Sequence, residues 1–155
     1  MRFNLSSTAL SSRLLTLSRV INSKNSLPIL DCFLFEIHNR QLTITASDSE
    51  NVMRGTLNLE DCEGEGDFAV NNHTILDAVK ELPEQPLALA VNMEEMKIYV
   101  TYQNGSYNFP ILGADEYPKV QPMSETATTV TIGAEKLSDS LTRSGRCPGR
   151  RSFVR

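Results

Sequence analysis

Arg2-Phe3-Asn4-Leu5-Ser6-Ser7-Thr8-Ala9-Leu10-Ser11-Ser12-Arg13-Leu14 begins with two alternating apolar residues, Phe3 and Leu5, and runs on into leucines four apart, Leu10 and Leu14. A period of two giving way to a period near 3.6 marks a short strand leading into an amphipathic helix. The pattern returns 127 residues later, where Val130 and Ile132 alternate and Leu137 and Leu141 follow at the same spacing. Such a return is the signature of a tandem repeat. The first copy is completed over the next hundred or so residues. The second breaks at Ser144, because Gly145-Arg146-Cys147-Pro148-Gly149-Arg150-Arg151 cannot continue a helix. The expectation is one whole domain over 1–122, a linker with the first strand and helix of an incomplete second domain over 123–143, and an aberrant Arg-rich tail over 144–155.

The first helix is expected over Thr8–Ile21, with Ser7 as its N-cap and Leu10, Leu14, Leu17 and Ile21 on one apolar face. Ser12 and Arg19 point away from that face, and Arg13 lies on its flank. Lys24 follows in a polar loop, and Leu27-Pro28 then forces extended backbone. Strands dominate the middle. Phe33, Phe35 and Ile37 alternate, Asn39-Arg40 makes a tight turn, and Leu42, Ile44 and Ala46 share one face. Val52–Leu59 reads as a further strand and Glu60–Asp67 as an acidic turn. Phe68–Val70 is a short strand. A second helix is expected over Asn72–Leu82, stopped by Pro83, with His73, Asp77, Lys80 and Glu81 on its polar face. Leu87–Val91 and Met96–Tyr102 make a hairpin, and Asn104-Gly105 turns the chain back into Ser106–Ile111. The order β-α-β-β-β-β-α-β-β-β predicts an α+β fold, a mostly antiparallel sheet with two helices on one face.

At 155 residues and 40% hydrophobic content the chain has enough for one core. It has no run of about 18 apolar residues, so no membrane partner is expected. The first residues lack the apolar region of a secretory signal. Three widely spaced cysteines without a CxxC argue against zinc or thioredoxin-type chemistry and fit a reduced, cytoplasmic compartment. The net charge of −4 hides an asymmetry: residues 1–142 carry 19 acidic and 10 basic side chains, a balance of −9, while Arg143, Arg146, Arg150, Arg151 and Arg155 stand without an acid. A body at −9 repels nucleic acid unless its few cations are grouped on one face.

No chemical motif assembles an active site. Glu60–Asp67 lacks the ligand spacing of a calcium loop. Asp48-Ser49-Glu50 follows a strand end, where Asp and Ser make turns. His38 and His73 sit on different elements with no cue that they meet, and neither G-x-S-x-G nor a phosphate-binding glycine loop is present. The chain is expected to be no enzyme and to use no cofactor or metal. Arg13, Arg19, Lys24, His73 and Lys80 sit on or beside helix polar faces, which taken alone reads as a solvated surface.

Three segments then occur in order: Leu27-Pro28-Ile29-Leu30, Leu42-Thr43-Ile44-Thr45-Ala46-Ser47-Asp48, and Phe109-Pro110-Ile111-Leu112-Gly113-Ala114-Asp115-Glu116-Tyr117-Pro118. Together they resemble the bacterial sliding clamp, the β subunit of DNA polymerase III, with a flavour similar to Bacteroidetes clamps. The resemblance covers residues 1 to about 143 and accounts for the repeat, because the family chain is three similar domains in tandem. It implies a ring-forming dimer, closed around duplex DNA, that serves DNA replication as a non-enzymatic processivity factor. Helices line the hole of that ring. It also implies DNA-binding roles for Lys24, a loop position, and Lys80, on the second helix; Arg19, Arg13 and His73 are added by helix geometry. DNA polymerase III and the clamp loader would dock on regions absent here, and the family pattern is lost after Arg143. The truncated chain is therefore not expected to close the ring. The alternative is a free-standing protein-interaction module with an exposed sheet edge.

Overall fold

The computed structural model describes residues 1–21, 27–48, 50–118, 128 and 130–144. Lys24, part of the expected second-domain linker and the tail after Ser144 lie outside them. Two units divide the chain, Met1–Val120 and Gln121–Arg155.

In the first unit the chain runs through β1 (Arg2–Ser6), α1 (Ser7–Leu17), β2 (Cys32–His38), β3 (Gln41–Ser47), β4 (Val52–Asn58), β5 (Cys62–Glu63), β6 (Gly66–Asn71), α2 (Asn72–Lys80), β7 (Pro86–Asn92), β8 (Lys97–Tyr102) and β9 (Gly105–Gly113). The strands form one antiparallel sheet in the order β4-β3-β2-β6-β9-β8-β7-β1-β5. This is the α+β class that the strand and helix pattern predicts.

The sheet is rolled. Its two end strands, β4 and β5, are joined by only Leu59–Asp61. Leu59 is buried and donates its amide to Arg40 O at 2.9 Å, and Asp61 O accepts the Asn4 amide at 3.1 Å. Strand β9 turns the corner in the middle, pairing with β8 through Pro110 and with β6 from Ile111. Proline has no N–H for a ladder, so Pro110 suits a strand that changes partners there.

Alternation puts Phe33, Phe35, Ile37, Leu42, Ile44, Phe68, Val70, Leu87, Leu89, Ile98, Val100, Phe109 and Ile111 on the concave face. The stripe Leu10, Leu14 and Leu17 of α1 and the pair Ile75 and Val79 of α2 close over them, all essentially fully buried. Each such side chain contributes about 1.5–3 kcal/mol of burial.

A second apolar cluster lies on the opposite face. A 3-10 turn, Pro28–Asp31, brings Ile29 and Leu30 against Cys32, Ala69 and Tyr117, with Leu34 alongside. Tyr117 follows a second 3-10 turn, Ala114–Glu116, and its hydroxyl donates to Thr45 O at 3.5 Å.

Several local expectations shift. Helix α1 ends at Leu17, not Ile21, and its N-cap is Ser6, whose Oγ accepts the Ala9 amide. Ser18 Oγ donates to Leu15 O, and the amides of Val20 and Ile21 fold back to Leu17 O and Ser18 O in a tighter turn. Serine offers the backbone such alternatives to the helical ladder. Ser7 is the first helical residue and is fully buried. Its Oγ donates to Pro83 O at 2.7 Å and accepts the Gln85 amide at 3.0 Å, while its own amide donates to Gln85 O. Helix α2 ends at Lys80 rather than Leu82, because the residue before Pro83 is pushed out of helical geometry. The acidic stretch Glu60–Asp67 contains β5, which pairs with β1. Asn39 and Arg40 both take positive φ, as the two-residue turn requires. At the other hairpin the turn is Gln103-Asn104, with Gly105 already paired to Tyr102. The glycine there answers a close approach, since a Cβ would lie 2.9 Å from the Tyr102 hydroxyl. Met96 takes a positive φ outside β8.

In the second unit α3 spans Ala134–Ser144, but Val130 and Ile132 form no strand. They and Leu137 and Leu141 are exposed, whereas their counterparts Leu10 and Leu14 are buried. A strand needs a neighbour for its backbone groups, and no described strand pairs with residues 130–132.

Replacing Ser7 with alanine leaves Pro83 O and Gln85 N without their partner. We expect urea denaturation to show a loss of about 1–3 kcal/mol. A loss within error would mean that the junction is not structural.

Burial pushes the Cys32 thiol up to about 11 and the Tyr117 phenol up to about 12. The folded state therefore holds both protons more tightly than the unfolded chain. Stability should be flat below about pH 9 and fall as pH rises towards 12. Tyr117→Phe should flatten that alkaline limb, and an unchanged limb in this variant would refute the assignment to Tyr117.

Candidate nucleic-acid interface

Burying the leucine stripe of α1 and the Ile75–Val79 pair of α2 in one core sets the two helices side by side with their polar faces outward. Asn71 starts α2 by accepting the Thr74 amide at 3.2 Å, and the buried Asn72 anchors it by donating to Asp31 O at 2.7 Å.

Between the two helices lies an open groove of about 340 Å³, lined by Thr8, Ser11, Ser12, Leu15, Thr16 and Arg19 on one side and Lys80 and Leu82 on the other. Arg19 reaches it from the turn after α1 rather than from the helix itself. Lys80 sits in the last turn of α2, where a cation is favoured. Its Nζ lies 2.8 Å from Asp77 Oδ1. That contact raises the Lys80 ammonium and holds the Asp77 carboxyl below its ordinary value, with His73 adding a smaller pull on Asp77.

The other expected residues are distributed differently. His73 is exposed on α2, one turn before Asp77. Arg13 is exposed, but its side chain lies across Gly55 of the edge strand β4, where a Cβ would stand 2.4 Å from Arg13 Cδ. It braces α1 against the sheet rather than lining the groove. The groove thus brings Arg19 and Lys80 together; Arg13 and His73 do not line it, and Lys24 lies outside the described residues.

Ser11 and Thr16 are the groove's additions to the sequence reading, and Asp77, already placed on the polar face of α2, gains a role as the partner of Lys80. The i,i+3 spacing of Asp77 and Lys80 was a readable signal. The Arg13–Gly55 contact had none, since it joins residues 42 apart on a helix and a sheet edge.

His38 belongs elsewhere. It bridges to Asp67 Oδ1 at 2.9 Å and Glu65 Oε2 at 3.7 Å on the neighbouring strand side. Asp48 works as a turn residue, its Oδ1 accepting the amides of Glu50 and Asn51, which holds its carboxyl below the ordinary range. Among the described residues no group of three His, Cys, Asp or Glu is placed to hold a metal ion. None of the described helices is long and apolar enough to cross a membrane.

Residues 1–121 match the model of the DNA polymerase III beta subunit, N-terminal domain. The chain belongs to that family. The beta sliding clamp of Pseudomonas aeruginosa is 28% identical over 121 residues, 78% of this chain and 33% of that protein. That of Chlamydia muridarum is 26% identical over 145 residues, 92% of this chain and 38% of that one. Among solved structures, the Pseudomonas aeruginosa sliding clamp bound to griselimycin matches with a TM-score of 0.75 at 26% identity, covering 82% of this chain and 34% of that chain. The Helicobacter pylori beta clamp in complex with carprofen shares the fold, with a TM-score of 0.73 at 21% identity over 80% of this chain and 33% of that one. This chain spans about a third of the length of the relatives it matches.

The Arg13–Gly55 contact is testable by a double-mutant cycle. Gly55→Ala should destabilise by about 1 kcal/mol through overpacking, and Arg13→Ala should remove most of that penalty, giving a coupling of about 0.5–1 kcal/mol. Strict additivity would show that the two do not touch in solution.

Proposed function

We propose that residues 1–122 are the first domain of a ring that encloses duplex DNA and serves replication as a non-enzymatic processivity factor, with α1 and α2 turned to the DNA. The observation that carries this is the α1–α2 groove, in which Arg19 and Lys80 converge although the chain from 1 to 142 has a balance of −9. Grouped cations on an otherwise acidic body draw the phosphate backbone to one face and repel it elsewhere. Contacts to phosphate carry no sequence information, which is what a sliding tether needs.

Lys24, Arg13 and His73 enter the proposal as flanking contacts. The 155 residues supply one complete copy of the repeat, so ring closure through a second chain, and docking of DNA polymerase III and the clamp loader, belong to parts of the clamp outside this copy. In this reading the protein works with the replication machinery of the cytoplasm. The relatives named above come from Pseudomonas, Chlamydia and Helicobacter, and the proposal takes the family without the Bacteroidetes lineage.

A second reading has one observation in its favour. Strand β4 ends the sheet with Val52 and Met53 exposed, an edge that suits β-strand pairing with a partner protein. Capture of an intact clamp chain by residues 1–122, lost on replacing Met53 with lysine, would favour it.

The DNA reading is tested with the full chain and a random-sequence duplex. We expect weak binding at low ionic strength, falling steeply with salt, and a salt slope shallower by about 1 in Arg19→Gln. Tight binding at moderate salt that survives loss of residues 144–155 would contradict it. So would a slope that Arg19→Gln leaves unchanged.

A further inference from the structure

His73, Asp77 and Lys80 follow one another at i, i+4 and i+7, so they share one stripe of α2. The middle residue has the wrong sign for a surface that meets phosphate. Asp77 does not point away: its Oδ1 sits 2.8 Å from Lys80 Nζ, at the rim of the groove that Lys80 and Arg19 line. Arg19, across the groove, has no carboxylate partner among the described residues. Among the described residues the two cations are therefore unequal: Lys80 is held by a carboxylate and Arg19 is not.

We propose that Asp77 is a built-in competitor for DNA phosphate, holding Lys80 and releasing it only when a backbone phosphate takes the carboxylate's place. The proposal rests on the reading of the α1–α2 groove as the DNA-facing surface. Both partners are exposed, with side-chain exposures of 41% for Lys80 and 66% for Asp77. An exposed pair of this kind is held weakly, so the exchange is easy in both directions. Lys80 also keeps the Asp77 carboxyl below its ordinary value, so the competitor stays charged throughout the physiological range. A phosphate that binds Lys80 gains one ion pair and breaks another, and the displaced Asp77 carboxylate then repels it. The net grip at this position stays small, which favours a contact that is made and broken as DNA passes. Arg19 supplies the steadier contact.

The test is a cycle on the full chain: wild type, Asp77→Asn, Lys80→Gln and the double variant, each titrated into a random-sequence duplex across a salt series. Asp77→Asn should bind roughly three- to tenfold tighter at low salt, with a slope steeper by about 0.9. Lys80→Gln should cost little in the wild-type background and abolish the gain in the Asp77→Asn background. An Asp77→Asn variant with unchanged affinity and slope would overturn the proposal. A gain that persists in the double variant would also overturn it, since Asp77 would then act as a mere surface charge. If neither wild type nor any variant bound duplex at the lowest salt, the DNA-facing reading itself would fall, and this inference with it. Wild-type binding that depends on Arg19 but ignores Asp77 would remove only the inference.

Discussion

The structure depends on the burial of five apolar side chains from two helices in one curved sheet. Leu10, Leu14 and Leu17 of α1 and Ile75 and Val79 of α2 must leave water together. Replacing any of the leucines by alanine would cost about 2–5 kcal/mol, a large share of the stability of a domain this size. Once those faces are committed, the opposite faces have no choice but to lie side by side in solvent. The groove with Arg19 and Lys80 is therefore a consequence of core packing, and its polar lining is free to serve another purpose.

The three separated segments that carry the resemblance come together on the outer face of the sheet. Ile29 and Leu30 come from the first, Thr45 from the second, and Ala114–Tyr117 from the third. They meet in the cluster around Cys32 and Tyr117, where the phenol reaches Thr45 O. The segments are held together by this shared contact. Pro110, in the third segment, stands where β9 changes partners.

Much of the fold was legible because period two and period 3.6 are strong signals in this chain. The α+β order and the inward faces follow directly from Phe33-Phe35-Ile37 and from the leucine stripe. What failed was local and short-ranged. The seven-residue spacing that carried the helix to Ile21 could not register that Ser18 bonds Leu15 O. The Asn104-Gly105 pair suggested a left-handed turn, whereas Gly105 serves the close approach of Tyr102. Strand β5 is two residues long and is made by pairing with β1, so no window of sequence could show it. In the site, the positions of Arg19 and Lys80 on polar faces were readable, but their convergence across two helices was not. The packing of Arg13 on Gly55 was not readable either, because Gly55 lies on a distant strand.

The central claim is that the α1–α2 face meets DNA and the outer sheet face does not. Backbone amide chemical shifts of the full chain, followed by NMR as a random-sequence duplex is added at low ionic strength, test it most directly. Shifts concentrated in residues 8–19 and 73–82, with little change along the outward positions of β2, β6 and β9, are the predicted result. Shifts centred on the outer sheet face, with the groove residues unmoved, would contradict it.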